Sequence, residues 1–436
     1  MKIAFHTLGC KVNSYETEAT WSLFKDKGFE RVEPNCLADV YIINTCTVTN
    51  TADSKSRQRI RQSIKMNPNA VIAVMGCYSQ TKKEEIEKID GVDIIIGNQE
   101  KGKIVDLVLQ VLDKKQKIID VTDILRYREY ENLNACEFEH TRAFLKIQDG
   151  CNNFCSYCII PFARGPLRSK PHEEVFKEVK KIISLGYKEI VLAGIHTGGY
   201  KDNDFTFSDL VSALVSFEGL LRLRISSMEI TQIDDKFLNL LKNDHLANHL
   251  HLPLQSGSDG VLKRMNRKYN KQEYLDIINK IREVSPDIAI STDLIVGFPG
   301  ETEEEFQETM DFLKLIKYSK IHVFPFSKRD GTKAALMENQ ISDSLKSKRV
   351  NEVLELDANL QYEYAKKFIG KIMKIIPETC KNGYLYGHTS NYLMVKFPGN
   401  EDLIGKIIDV EINDVIFDKN LTKIKKDYLQ ILGNQV

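Results

Sequence analysis

Three strand patterns near the start of the chain each run directly into a cysteine. The strand patterns are Lys2–Thr7, Val40–Asn44 and Ala70–Met75, and helical patterns cover Ser14–Lys27 and Asp53–Met66. This alternation predicts a parallel α/β sheet, because parallel strands need a crossover helix between them. The carboxyl ends of parallel strands share one edge of a sheet, so we expect Cys10, Cys46 and Cys77 to converge there. A metal site is the favoured interpretation, and three unrelated buried thiols are the alternative.

The chain is long enough for further domains, because it has 436 residues and a single core seldom grows past roughly 250–300 residues. A polar stretch from Asp123 to Thr141 predicts a linker. Six more strand patterns follow, at Ala143–Ile147, Glu189–Ala193, Leu221–Ser226, His249–Leu254, Ala289–Val296 and Ile321–Phe326. Helical patterns such as Glu173–Leu185, Gln272–Val284 and Glu303–Ile316 lie between them, which predicts a curved parallel sheet or partial barrel.

The pattern changes after a long helical run that ends near Phe368. Short strand patterns separated by Gly, Asn and Pro then predict a small antiparallel β-barrel. They are Lys371–Ile376, Tyr384–Thr389, Tyr392–Phe397 and Lys406–Ile412. We therefore predict an α/β protein of three domains, at residues 1–122, 137–367 and 369–433.

The composition is that of an ordinary globular protein, with 42% hydrophobic and 28% charged residues. No stretch approaches the roughly 18–20 uninterrupted apolar residues of a membrane helix, so we expect a cytoplasmic protein with no membrane partner. Nine cysteines in a reducing compartment favour metal or redox chemistry over a disulfide framework. Cys36, Cys136 and Cys380 follow no such strand end, and we interpret them as structural.

The formal net charge of zero argues against a nucleic-acid partner, because phosphate binding needs local positive charge. Basic residues nevertheless cluster in two places. Arg57, Arg59 and Arg61 recur on a predicted helix, and a second group lies at Arg264-Met-Asn-Arg267-Lys268. Each group predicts either a nucleic-acid contact or a solvated face of a helix.

The sharpest chemical signal is a CxxxCxxC run formed by Cys151, Cys155 and Cys158. Three thiolates in one tight loop can bind one four-iron cluster and leave one iron open to a substrate, unlike the four cysteines of electron carriers. A zinc ribbon is the alternative, but structural zinc prefers four protein ligands and usually a second CxxC pair, which does not follow. The run therefore favours a catalytic iron–sulfur site.

This run resembles the signature of the radical SAM superfamily, including the aromatic residue before its last cysteine. The resemblance implies a [4Fe–4S] cluster whose open iron chelates S-adenosylmethionine (SAM), and cleavage of SAM to a 5′-deoxyadenosyl radical. Other stretches that resemble the superfamily are Leu192-Ala-Gly194-Ile-His-Thr-Gly198-Gly199, the strand end at Glu229, and Asp293-Leu-Ile295-Val-Gly297. The SAM-binding residues implied by this resemblance are Tyr157, Gly194, Gly198, Glu229, Ile295 and Gly297.

Together with the N-terminal cysteines, these features are similar to one family over almost the full length, the methylthiotransferases. The resemblance implies that Cys10, Cys46 and Cys77 bind an auxiliary [4Fe–4S] cluster and that the C-terminal barrel is an RNA-binding TRAM domain. It implies a two-part reaction in which one SAM methylates sulfur and a second SAM yields the radical that permits sulfur insertion. The segment Arg164-Gly-Pro-Leu-Arg168-Ser is also typical of the family, and we expect Arg164 and Arg168 to contact nucleic acid with the first arginine cluster.

Within that family, His6-Thr-Leu-Gly-Cys10-Lys-Val-Asn13 looks most like the MtaB branch. This resemblance implies conversion of N6-threonylcarbamoyladenosine beside the tRNA anticodon to its 2-methylthio form. It also implies an electron donor such as flavodoxin or ferredoxin, and a sulfur donor. The alternatives are methylthiolation of isopentenyl-adenosine in tRNA or of a ribosomal protein, and a non-catalytic iron–sulfur protein that binds RNA.

Overall fold

The computed structural model of the chain describes residues 1–135, 137–138, 141–418 and 428–436. Cys136, which we predicted to be structural, lies outside these residues, as does part of the predicted domain 369–433. Within the described ranges, the structure has no helix that is both long and apolar enough to cross a membrane.

The N-terminal unit is the predicted parallel α/β sheet. Its strands are β1 (Lys2–Thr7), β2 (Glu30–Val32), β3 (Val40–Thr45), β4 (Val71–Gly76), β5 (Ile94–Ile96) and β6 (Ile118–Asp120). Its helices are α1 (Lys11–Asp26), α2 (Asn50–Met66), α3 (Cys77–Thr81), α4 (Lys83–Glu87) and α5 (Ile104–Lys114). The strand order is β2-β1-β3-β4-β5-β6, with every pair parallel. Every residue of β3 and β4 is buried, as expected of strands with helices on both faces.

The central unit contains two parallel sheets of three strands, which confirms the predicted series of βα units. Its strands are β7 (Arg142–Lys146), β8 (Gln148–Asp149), β9 (Arg168–Ser169), β10 (Glu189–Ala193), β11 (Lys201–Asp202), β12 (Phe205–Thr206), β13 (Arg222–Ile225), β14 (His249–His251), β15 (Ala289–Val296) and β16 (Lys320–Pro325). Its helices are α6 (Ile160–Arg164), α7 (His172–Ser184), α8 (Phe207–Leu214), α9 (Asp235–Leu240), α10 (Asp259–Arg264), α11 (Lys271–Val284), α12 (Glu303–Ile316) and α13 (Asp343–Lys366). The sheet orders are β13-β10-β7 and β14-β15-β16, and their helices enclose one large apolar core. The strand carboxyl ends therefore face a common side, where such folds place ligands.

The C-terminal unit is a closed barrel of five strands in the order β17-β18-β19-β21-β20. The strands are β17 (Ile372–Lys381), β18 (Tyr384–Thr389), β19 (Met394–Pro398), β20 (Ile408–Phe417) and β21 (Leu429–Gln435). The predicted small antiparallel barrel is confirmed, with four of its five strand pairs antiparallel. The sequence pattern did not predict β21, which pairs with β19 in parallel. A ring with an odd number of strands cannot alternate direction all the way round, so at least one neighbouring pair must be parallel.

Buried arginines join the barrel to the central unit. Arg222 donates to the Lys374 carbonyl oxygen at 3.0 Å, and Arg224 donates to the Thr389 carbonyl oxygen at 3.2 Å. Both arginines also contact the buried carboxylate of Glu189, at 3.1 and 2.7 Å. These bonds fix the barrel against the side of the sheet β13-β10-β7.

Candidate active site

The loop that carries Cys151, Cys155 and Cys158 is held by backbone hydrogen bonds. The Cys151 amide donates to the Gly165 carbonyl oxygen at 3.1 Å, and the Cys158 amide donates to that of Cys155 at 3.0 Å. Gly150 has a φ of +71°, and a Cβ there would lie 2.0 Å from the Pro166 carbonyl oxygen, so the turn requires glycine. Burial raises the pKa of Cys151 to about 11 and that of Cys158 to about 12, which favours the neutral thiols in the absence of a metal.

A nearly buried arginine faces this loop. Arg267 donates to the Cys155 Sγ at 3.4 Å, and its guanidinium also pairs with Glu229 and contacts the Tyr269 hydroxyl at 2.9 Å. The predicted basic surface at Arg264 to Lys268 is therefore wrong, because Arg267 faces inward and Arg264 pairs with Glu305 at 2.6 Å. Glu229, which we predicted to bind SAM, is connected to the cysteine loop by this arginine, because Arg267 contacts both.

Another residue predicted to bind SAM, Tyr157, belongs to the cysteine loop itself. Tyr157 and Ile295 both pack against an apolar cluster that contains Phe298. A Cβ at Gly198 would lie 2.4 Å from Gln232 Oε1, and one at Gly297 would lie 2.4 Å from Lys346 Cγ. Gly297 also has a φ of +71°, a conformation that favours glycine, whereas the Gly198 Cβ would meet the end of the flexible Gln232 side chain.

Cys10, Cys46 and Cys77 lie at the ends of three adjacent parallel strands. Cys10 caps the start of α1, Cys46 follows β3, and Cys77 begins α3 directly after β4. A Cβ on Gly9 would lie 3.0 Å from the Cys46 Cβ, so the turn before Cys10 packs against Cys46. Gly76 has a φ of +103°, and a Cβ there would lie 2.6 Å from the Thr45 carbonyl oxygen. Burial raises the pKa of Cys46 to about 12.

Arg164 from the central unit reaches this second group of cysteines. Its Nε donates to the Cys77 Sγ at 3.2 Å, and its terminal nitrogens donate to Asn13 Oδ1 and Glu16 Oε1, both at 2.6 Å. Asn98 also donates to the Cys77 Sγ, at 3.5 Å. One fully buried guanidinium therefore connects the N-terminal cysteines to the segment that follows the CxxxCxxC loop.

The charges around Arg164 do not balance. Two buried carboxylates, Glu16 and Asp149, contact four buried cations, Lys101, Lys146, Arg164 and Arg168. An excess of buried positive charge is costly unless an anion compensates it. Cysteine thiolates that bind an iron–sulfur cluster would supply that anion, and so the donor set fits such a group.

Within the described part of the chain, no three His, Cys, Asp or Glu side chains are placed to hold a single metal ion. The three cysteine ligands of a four-iron cluster bind three different irons, so they need not converge on one point. The fit therefore rests on the thiols at adjacent strand ends and on the excess positive charge beside them.

The arginines predicted to contact nucleic acid fall into two groups. Arg59 and Arg61 on α2 are exposed, and Arg57 is partly exposed and donates to the Tyr78 hydroxyl at 2.7 Å. Arg164 and Arg168 are instead buried, with exposed fractions of 0% and 3%, so neither lies at a surface that a nucleic acid reaches. We therefore reassign both to the interior beside the N-terminal cysteines.

A cavity of about 1010 Å³ lies where the three units meet. Cys10 and Lys11 line it from the N-terminal unit, Gly194 from the central unit and Tyr392 from the barrel. A residue of the N-terminal cysteine group and a glycine predicted to bind SAM thus open into one space. Such a space between domains is a common place for a substrate.

The buried polar residues of the helix that follows Cys10 were not predicted from the sequence. Asn13, Glu16, Thr17 and Thr20 recur at helical spacing, which is typical of a solvent-facing side, but all four are buried in α1. Their polarity on a helix beside Cys10 was the available signal. No local pattern could have paired Glu16 with an arginine 148 residues away.

Comparison with known families agrees with this architecture. Residues 145–313 match the Radical SAM superfamily, and residues 2–97 match an uncharacterized protein family, UPF0004. In fold, the chain is similar to the radical S-adenosylmethionine methyltransferase TsrM from Kitasatospora setae, with a TM-score of 0.57 and 13% identity over 74% of this chain and 72% of that chain. The fold and the CxxxCxxC loop define a radical SAM enzyme, a class that implies a [4Fe–4S] cluster and SAM.

Named relatives extend along nearly the whole chain. Threonylcarbamoyladenosine tRNA methylthiotransferase MtaB of Bacillus subtilis (strain 168) is 51% identical over 94% of this chain and 93% of its own length. A tRNA-2-methylthio-N(6)-dimethylallyladenosine synthase of Thermoanaerobacter sp. (strain X514) is 37% identical over 94% of this chain and 89% of its own length. The chain belongs to the MtaB-type family of radical SAM methylthiotransferases.

Proposed function

We propose that this enzyme converts N6-threonylcarbamoyladenosine next to the tRNA anticodon to its 2-methylthio derivative. The observation that carries the proposal is the 51% identity to the Bacillus subtilis protein of that name along 94% of the chain. The reaction uses two SAM molecules, one as the source of the methyl group and one as the source of the radical that activates the C–H bond at C2.

The first cysteine group holds the catalytic [4Fe–4S] cluster in this proposal, and the second group, Cys10, Cys46 and Cys77, holds the auxiliary [4Fe–4S] cluster. When bound, the first cluster supplies the electron that cleaves SAM, and the second supplies the sulfur for transfer. Arg267 and Arg164 each donate to one cysteine sulfur of one group, and so each orients a ligand and offsets its negative charge. The proposed reaction also needs an external electron donor, such as flavodoxin or ferredoxin, and a sulfur donor.

SAM binds around the CxxxCxxC loop in this proposal. Glu229 accepts from its ribose hydroxyls, since a carboxylate is an acceptor and Arg267 already fixes its position. The backbones of Gly194 and Gly198 permit close approach of the methionine end, and Tyr157, Ile295 and Gly297 lie on the adenine side. The apolar cluster against which Tyr157 and Ile295 pack suits an aromatic base.

The exposed arginines of α2 and the C-terminal barrel bind the tRNA. We assign residues 1–122 to the domain of the auxiliary cluster, 137–367 to the radical SAM core and 369–433 to a TRAM-like barrel. The exposure of Arg59 and Arg61 supports the role of α2 in tRNA binding, and this helix begins four residues after Cys46. Phosphate contacts from that helix would place the RNA on the same side as the auxiliary site.

The test is mass spectrometry of nucleosides in bulk tRNA from a host that lacks such enzymes, with and without this gene. Appearance of 2-methylthio-N6-threonylcarbamoyladenosine is the expected result. The 2-methylthio form of isopentenyl-adenosine would instead assign the chain the activity named for its 37% identical relative. No change in the tRNA nucleosides would contradict a tRNA substrate and direct attention to ribosomal proteins.

A further inference from the structure

The cavity between the three units has the size and the lining of a nucleoside site. Its volume of about 1010 Å³ is at the upper end of the range of roughly 300–1,000 Å³ typical of small-molecule sites. At its barrel end, Tyr392 stacks against His388 and His249, with ring centroids 4.4 and 4.8 Å apart. Aromatic and polar groups that line one cavity suit a base with hydrogen-bonding edges.

The cations that line this cavity differ in whether an acid neutralises them. Arg224 pairs with Glu189 at 2.7 Å, and Lys320 pairs with Asp357 at 3.1 Å. Lys11 is half-buried and, among the residues that the structure describes, has no carboxylate within ion-pair distance. Its ammonium is thus available to an anion brought by a ligand, and a partly buried ammonium gains more from such a partner than an exposed one.

The aspartate that lines the cavity already has a partner. Asp293 lies 3.2 Å from His251 Nε2, and its side chain is about one-third exposed. A negatively charged ligand therefore meets an unpaired lysine on one wall and a carboxylate held by a histidine on another. The balance of charge favours an anionic group at the Lys11 side.

We propose that this cavity binds the target nucleoside and that the Lys11 ammonium binds the carboxylate of its threonylcarbamoyl group. The inference rests on the proposed function and names the residue that selects the substrate. Lys11 directly follows Cys10, so the bound carboxylate lies beside the proposed auxiliary site. In adenine, C2 and C6 both flank N1, and so a carboxylate borne on N6 and the carbon that receives sulfur lie on the same edge of the base.

This role gives a physical basis for discrimination between two modified adenosines. A dimethylallyl group on N6 is apolar and offers no charge to Lys11, whereas a threonyl carboxylate offers a charge-assisted hydrogen bond. An apolar group placed against the ammonium would also remove water from it without supplying a hydrogen bond or an opposite charge in exchange, which costs free energy. Lys11 thus favours the acidic substrate and disfavours the apolar one.

The test measures dissociation constants for anticodon stem-loop RNAs that carry threonylcarbamoyladenosine, its carboxylate methyl ester, or unmodified adenosine. We expect the wild-type holoenzyme to bind the acid about tenfold or more tightly than the ester, the range of a hydrogen bond to a charged group. Lys11→Met should bind the acid and the ester with equal dissociation constants, close to the value that wild type shows for the ester. Lys11→Arg should restore the preference, because it keeps the positive charge.

The controls separate a specific contact from damage to the protein. Lys27→Met removes the same charge at the exposed far end of α1, and its ratio of acid to ester affinity should equal that of wild type. Because this ratio compares two ligands on one preparation, a reduced fraction of folded protein cancels from it. Lys11→Met and the conversion of the carboxylate to its ester form a double-mutant cycle, which isolates the interaction between the two groups.

The outcomes distinguish the two claims. If wild type forms the 2-methylthio product and Lys11→Met keeps the full preference for the acid, the role of Lys11 is overturned and the proposed function stands. If wild type neither prefers the acid over the ester nor forms that product from the acidic RNA, the proposed function fails and the role of Lys11 fails with it.

Discussion

Cys151, Cys155 and Cys158 lie within one loop of eight residues, whereas Cys10, Cys46 and Cys77 are brought together by three strands of a sheet. Local spacing and a few backbone hydrogen bonds determine the first group. The second group depends on the packing of the whole N-terminal sheet and on Arg164 from the central unit. A change far from either group should therefore disturb the second group first.

The two groups also differ in the charge that surrounds them. Arg267, beside the first group, pairs with the single acid Glu229. Arg164, beside the second group, belongs to a buried set in which cations outnumber carboxylates by two. The second site is thus the better prepared for a strongly anionic occupant, which is the physical difference that the following experiments test.

The largest expected effect is that of Cys151→Ala on SAM cleavage. Loss of one of the three thiolates removes the catalytic cluster site, so formation of 5′-deoxyadenosine by the reduced, reconstituted protein should fall to background. Cys36→Ala is the control, because Cys36 is exposed and lies outside both cysteine groups. Full cleavage by Cys151→Ala would remove this residue from the catalytic site.

Cys46→Ala should separate the two groups. The variant should still form 5′-deoxyadenosine, because the CxxxCxxC loop is intact, but it should make no methylthiolated tRNA. Both products can be measured in one reaction by mass spectrometry. An enzyme with Cys46→Ala that still methylthiolates tRNA would contradict the auxiliary site.

Arg164→Met tests whether the buried charges stabilise the second group. The change leaves Asn13 Oδ1 without its 2.6 Å donor, and an unsatisfied buried acceptor typically costs about 1–3 kcal/mol. It also removes a positive charge beside the proposed cluster, so we expect a lower unfolding temperature and less iron per chain after reconstitution. Arg126→Met is the matched control, since the side chain of Arg126 is 87% exposed. An unchanged unfolding temperature in Arg164→Met would show that the network adds little to stability.

The smallest effect is expected from charge reversal on α2. Arg59→Glu together with Arg61→Glu should weaken tRNA binding and reduce the slope of log Kd against log salt concentration by about one per lost phosphate contact. Lys180→Glu, on an exposed face of α7, should leave both unchanged. Equal binding by the α2 variant would remove that helix from the interface.

Much of the fold could be predicted because periodic patterns and caps mark its elements. The bounds of Lys2–Thr7, Glu189–Ala193 and Ala289–Val296 agree with the structure, and the helix Glu303–Ile316 begins after a capping box at Thr302. The strand β21 could not be predicted in the same way, because it alternates weakly and ends in polar residues. Its place in the barrel is set by closure of the ring.

The candidate site was less accessible to sequence reasoning. Basic residues at Arg164, Arg168 and Arg267 suggested a surface for phosphates, but the fold buries their guanidinium groups. Their acidic and thiol partners lie far away in the chain, as with Arg164 and Glu16. Charge alone does not reveal burial, because the desolvation cost of an arginine depends on partners that only the tertiary structure supplies.

The bonds of Arg164 to Asn13 and Glu16 limit how this enzyme can be recombined with its relatives. A chimaera that exchanges only the N-terminal sheet would keep the arginine but receive foreign residues at its two acceptors. Unless those residues also accept from a guanidinium, the exchange leaves Arg164 with Asp149, 3.3 Å away, as its remaining acidic partner and so weakens the compensation of its buried charge. The two halves are therefore a co-inherited pair rather than interchangeable modules, and substitutions at these positions should arise together.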